Sequence, residues 1–168
     1  GYRDVPVPTV ARPGLYPGVI TNWMMRAVSD KSPPLDDVAA RDLATNTVWK
    51  AYVLPELAPQ QAPWLDIERQ CGFGLSLDKL IGDGKANNFV GMARLEEKAP
   101  RTVCFNAGAE LQTIWLNGKR IFKLTAPPLP GFHAGGSRIQ ADLVKGDNVI
   151  LIETGSTFFL SVTENHDW

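Results

Sequence analysis

Residues 111–116 (LQTIWL) and 119–124 (KRIFKL) are two alternating apolar stretches joined only by Asn117 and Gly118. Asn-Gly is the preferred pair for a two-residue type I′ turn, because both central positions need positive φ. Such a turn fixes a register: Trp115 faces Arg120, Ile114 faces Ile121 and Thr113 faces Phe122. The Ile114/Ile121 face is the more uniformly apolar near the turn and is assigned to the core. Trp115 then lies on the outer face, where a cation–π pair with Arg120 is the expected arrangement.

The rest of the chain repeats the same theme. Apolar stretches at 19–28 (VITNWMMRAV), 48–54, 88–95 (NFVGMARL), 101–106 (RTVCFN) and 139–144 read as strands. Lys145, Gly146, Asp147 and Asn148 make a turn. Residues 149–153 and 158–162 then read as a closing antiparallel pair across Gly155. Gly 15 and Pro 13 in 168 residues supply the bends that nine or ten short strands require. One convincing helix is predicted, within LDDVAARDLA at 35–44. With so few helices, the crossovers of a parallel sheet cannot be built. The expected fold is all-β: an antiparallel β-sandwich with one short helix and long loops. Residues 1–18, with four prolines, read as a lead-in or linker, and 19–168 as a single domain.

Composition removes several function classes. Lys plus Arg is 17 and Asp plus Glu is 18, a net charge of -1, so no dense basic field for nucleic acid is present. No apolar run reaches the roughly 18 residues of a membrane span. With two Cys and two His, a classical zinc finger or an iron–sulfur ferredoxin is nearly ruled out. Cys71 and Cys104 read as two buried thiols, a disulfide being the other reading. The chain opens on Gly1 and reads as a processed protein or a piece of a longer one.

Three segments resemble a known family. They are NWMMRAV at the first core strand, LSLDKLIGDGKANNFVGMARL, and the run IWLNGKRIF, ADLVKGDNVILIETG and FFLSV. Together they resemble the galactose-binding-domain-like jelly rolls found as carbohydrate-binding modules and accessory domains of polysaccharide-degrading enzymes. Asn117, Gly118, Gly146 and Asn148 carry much of this likeness, and they shape turns rather than bind. The resemblance implies a secreted, extracellular or periplasmic setting, a polysaccharide or oligosaccharide ligand, and other domains of a parent enzyme as partners. It implies neither nucleic acid nor membrane insertion. A structural calcium ion suits such folds. Asp142, Glu164 and Asp167 could contribute oxygens to one, although no spaced calcium loop is present and ordinary surface acids are the plainer reading.

No catalytic motif appears: no H-E-x-x-H, no G-x-S-x-G and no Walker loop. His133 and His166 are the only histidines for a triad, and the acids Glu96, Glu97, Glu110, Asp142 and Glu153 form no recognisable pair. Glu96 and Glu97 read as a solvated strand end. Sugar binding asks instead for aromatic rings that stack on C–H faces, set beside planar polar groups. Trp23 and Trp49 sit in strand patterns and read as core. Trp64 sits in the proline-rich loop at 55–70 with Gln60 and Gln61. Phe132 and His133 sit in the loop at 125–137, with Arg138 just after it. Trp64, Phe132, His133 and Arg138 are therefore the expected ligand-binding residues. The function expected is a non-catalytic carbohydrate-binding module. The alternative is a structural β-sandwich with no sugar ligand that packs on a neighbouring domain or subunit. A small lyase or hydrolase is the least favoured.

Overall fold

The computed structural model describes residues 20, 22–28, 50–53, 77, 88–125 and 137–164. Its elements are seven antiparallel strands: β1 (Asn22–Val28), β2 (Lys50–Val53), β3 (Asn88–Glu97), β4 (Arg101–Leu116), β5 (Lys119–Lys123), β6 (Ser137–Leu143) and β7 (Gly146–Thr163). They hydrogen-bond in the order β2-β1-β3-β7-β4-β5, with β6 on the free flank of the first half of β4.

β4 and β7 are long enough to serve two half-sheets. The second half of β4 and the first half of β7 lie in one half, with β5 on one side and β3, β1 and β2 on the other. The first half of β4 and the second half of β7 form the other, with β6. The two halves fold over each other. Phe158 of β7 packs edge-to-face on Trp23 of β1, with ring centroids 5.1 Å apart, and also meets Tyr52 of β2. Ile20, just before β1, donates its N–H to Leu160 of β7. Trp23, Met25, Phe89, Phe105, Ile114, Ile152 and Leu160 fill the core between the halves. This is an all-β antiparallel sandwich.

Two sequence expectations about this architecture are corrected. The fold expected was a β-sandwich with one short helix, yet the elements described are all strands. The strands supply two apolar inner faces that cover each other. The segment expected to be helical, 35–44, lies outside the described residues. The second correction concerns Gly155. Residues 149–153 and 158–162 are not a hairpin but one strand, both parts running antiparallel to β4. The chain bulges between them instead of turning. Ala109 adopts φ 53° opposite the bulge, and Glu110 accepts hydrogen bonds from Thr157 N (2.9 Å) and Thr157 Oγ1 (3.1 Å). A Cβ on Gly155 would come within 3.0 Å of Glu110, so the tight crossing itself calls for glycine there.

The Asn117-Gly118 turn forms as its chemistry requires, with φ 52° and 83°. Trp115 pairs with Arg120, but a bulge then shifts the register, so Ile114 meets Phe122 and Thr113 meets Lys123. Ile114 is fully buried and Ile121 packs against the core, as expected. Trp115 departs from expectation. It is 1% exposed, inside a second apolar cluster with Val90, Met92 and Leu151 on the opposite face. Its outward direction was legible, but its burial was not, because burial depends on what lies over that face.

Candidate functional site

The half-sheet of β6, β4 and β7 has one apolar face and one polar face. Alternation places Ile139, Ala141 and Leu143 of β6 on the core side, beside Val103, Phe105 and Ala107 of β4 and Leu160 and Val162 of β7. The intervening residues therefore point outward. On β6 these are Arg138, Gln140 and Asp142, all exposed. On β4 they are Thr102, Cys104 and Asn106, and on β7 Ser161 and Thr163. The register sets Asn106 opposite Arg138 and Ser161, Cys104 opposite Gln140 and Thr163, and Thr102 opposite Asp142.

At Cys104, Asn106 and Ser161 the β4 and β7 part of this face is a buried, hydrogen-bonded floor, covered rather than open to solvent. Asn106 is fully buried and its Nδ2 donates to Ser161 Oγ and Thr163 Oγ1, both at 3.1 Å. The Cys104 thiol lies 3.5 Å from Asn106 Oδ1. Burial pushes the Cys104 thiol above its ordinary pKa, against smaller opposing effects from an Ile139 backbone hydrogen bond, the Arg138 charge and Thr163. Cys104 is thus a neutral thiol in no disulfide, which agrees with the thiol reading of that residue. At the far end of the face, Thr102 Oγ1 donates to Asp142 Oδ1 at 2.7 Å. That bond orients one carboxylate oxygen, and the exposed group keeps acceptor capacity toward solvent.

Of the residues expected to bind ligand, Arg138 is on this face. Trp64, Phe132 and His133 lie outside the described residues. Sequence reasoning did not single out Gln140, Thr102 or the Asn106 floor on this face, and took Asp142 only as an acid. The signal was present, since S-R-I-Q-A-D-L alternates polar and apolar residues as a half-buried strand does.

Of the other candidate acids, Glu97, Glu110 and Glu153 make contacts that serve the fold. Glu97 holds Arg101 in a two-point ion pair at 2.8 and 2.9 Å across the β3–β4 turn, and this pair raises the Arg101 pKa despite partial burial. Glu110 pins the β7 bulge. Glu153 accepts from Thr113 at 3.2 Å. Asp147 pairs with Arg94. Among the described residues no group of three or more His, Cys, Asp or Glu is placed to hold a metal ion. Asp142 is tied to Thr102, and Asp167, another acid considered for calcium, lies outside the described residues. No helix among them is long and apolar enough to cross a membrane.

No family model and no curated protein matches this chain. Among solved structures it is similar to a beta-glucosidase from Kluyveromyces marxianus in complex with glucose, at 13% identity and a TM-score of 0.42. That likeness covers 88% of this chain and 16% of the glucosidase chain, so this chain spans a small fraction of that protein.

Proposed function

We propose that this chain is a non-catalytic carbohydrate-binding accessory domain of a larger secreted polysaccharide-degrading protein, of the galactose-binding-like kind. The observation that carries this reading is the outward row of Arg138, Gln140 and Asp142 on β6, exposed beside the buried hydrogen bonds of Asn106, Ser161 and Thr163. Guanidinium, amide and carboxylate groups in one row match the hydroxyls of a sugar, which both donate and accept. Phe132, His133 and Trp64, singled out in the sequence, are included in the proposal as ring contacts for a sugar. Holding a polysaccharide beside a catalytic partner would raise its local concentration without new chemistry.

Packing on a neighbour without any sugar would call for a contiguous exposed apolar patch. Among the described residues the exposed large hydrophobic is Val144 alone. Affinity electrophoresis through gels containing different polysaccharides tests the proposal. Retardation by at least one of them is the expected result. Unaltered mobility in every gel, with no binding on a glycan array at millimolar sensitivity, would refute it.

A further inference from the structure

We infer that Asn117, through the Gly118 that follows it, is a deamidation site held closed by the fold, whose conversion to aspartate or isoaspartate unties the turns at Asn148. This modification is independent of what the domain binds.

The chemistry needs only base and water. The Gly118 backbone nitrogen, after losing its proton to base, attacks the side-chain carbonyl carbon of Asn117. A C–N bond forms, the Cγ–Nδ2 bond breaks, and the nitrogen leaves as ammonia with a proton taken from solvent. The product is a cyclic succinimide. Water then opens the ring at either carbonyl, leaving aspartate or, with the chain rerouted through Cγ, isoaspartate. Nothing is oxidised or reduced; a water is consumed and an ammonia released.

Position and sequence select this asparagine. Gly118 has no Cβ to obstruct the approach of its nitrogen, and no other asparagine of the chain precedes a glycine. Asn117 is exposed at the tip of a hairpin, where base and water reach it. Asn106 and Asn148 are instead fully buried and precede Ala107 and Val149.

The fold holds the reacting carbon back. Asn117 Oδ1 accepts from Val149 N at 2.9 Å and its Nδ2 donates to Asn148 Oδ1 at 3.0 Å, so both ends of the amide are tied to β7. The Asn117 backbone N–H donates to Val149 O at 2.9 Å and fixes the main chain beside them. Turning Cγ onto the Gly118 nitrogen gives up both side-chain bonds. Two bonds of ordinary net strength slow the reaction about thirtyfold relative to the unfolded chain.

Conversion removes a donor that the turns share. A carboxylate in place of the amide has no N–H to offer Asn148 Oδ1. Asn148 cannot exchange its own amide ends in response, because its Nδ2 donates to Val144 O and its Oδ1 accepts from Val144 N. Isoaspartate also lengthens the main chain inside a two-residue turn whose geometry is fixed by positive φ at both positions.

The test incubates the full chain at mildly alkaline pH, folded and in guanidinium chloride. Peptide mass mapping follows loss of the Asn117 amide, and enzymatic methylation reads isoaspartate. In denaturant Asn117 should convert ahead of every other asparagine, and folding should slow it about thirtyfold. Asn148→Ala removes one of the two holding bonds and should convert about fivefold faster than folded wild type. Gly91→Ala weakens the core away from the turn and should convert at the wild-type rate, which separates local release from global unfolding. Asn117→Asp should melt below wild type. Four results would overturn the inference: folded wild type converting as fast as denatured, another asparagine leading in denaturant, equal rates in Asn148→Ala and Gly91→Ala, or wild-type melting of Asn117→Asp. The comparison of folded with denatured wild type needs no variant, so it decides the matter even where Asn148→Ala fails to fold.

Discussion

Replacing Asn148 with alanine should cost this domain about 4 kcal/mol. Asn148 is fully buried where three turns converge. Its Nδ2 donates to Val144 O at 2.9 Å and Gly146 O at 3.2 Å, with a longer contact to Leu95 O. Its Oδ1 accepts from Val144 N at 2.9 Å and from Asn117 Nδ2 at 3.0 Å. Asn117 in turn accepts from Val149 N and donates its backbone N–H to Val149 O. One side chain thus ties the β6–β7 turn to the β4–β5 hairpin and the end of β3. Four well-formed bonds at about 1 kcal/mol net each set the scale. The buried groups left unpaired keep the figure from falling much lower. Domains of this size are stable by about 5–15 kcal/mol, so the variant should fold with much reduced reserve. Guanidinium unfolding should show a lower midpoint with an unchanged m-value. Asn117→Gly keeps the positive φ while removing the side chain, and should lose about 1–2 kcal/mol by the same scale. A double-mutant cycle should show that the two losses are not additive, since they share a bond. A loss below about 1 kcal/mol for Asn148→Ala, the value of a single bond, would refute this account of how the turns are held.

Three further outcomes are expected. Gly91→Ala sets a Cβ 2.6 Å from Met25 Sδ and 2.9 Å from Ile152 Cγ1 in the packed core, and should destabilise by about 1–3 kcal/mol in thermal unfolding; a neutral result would show that β1 and β7 can yield there. Glu110→Ala strips the Thr157 N–H of its acceptor and should cost about 1–2 kcal/mol by denaturant titration, whereas Glu96→Ala at an exposed site should change little. In a Cys71→Ser background, the folded Cys104 thiol should react with a disulfide reagent far more slowly than the unfolded chain. Because burial raises its folded pKa, the unfolded chain ionises first. The stability contributed by the neutral thiol is therefore complete below roughly pH 8.5 and falls as pH climbs toward the folded value. Stability that rises with pH in that range would contradict it.

Part of the candidate site was legible. Arg138 was singled out in advance, and the alternation R-x-Q-x-D could have been read from 138–142 in the same way as any half-buried strand. The Asn106 floor was not legible, because its partners Ser161 and Thr163 lie more than fifty positions away. They meet only once β4 and β7 have paired.

The sequence by itself determined the turns. Asn117, Gly118 and Gly146 occupy positive φ, and the energetics of that conformation are local to each residue. It also determined that the fold is built of antiparallel strands, since period-two alternation between such turns makes sheets with one apolar face to bury. Only the tertiary structure decided which strand segments are continuous and what each outward face meets. Gly155 looked like a turn because glycine often is one. It is a bulge in which Glu110, a strand away, caps Thr157 and crowds the glycine closely. Trp115 pointed outward as alternation required, yet it is buried, packed with Val90 and Met92 of β3 and Leu151 of β7. Local chemistry sets how the backbone bends, whereas continuity and burial depend on contacts between residues far apart in the chain.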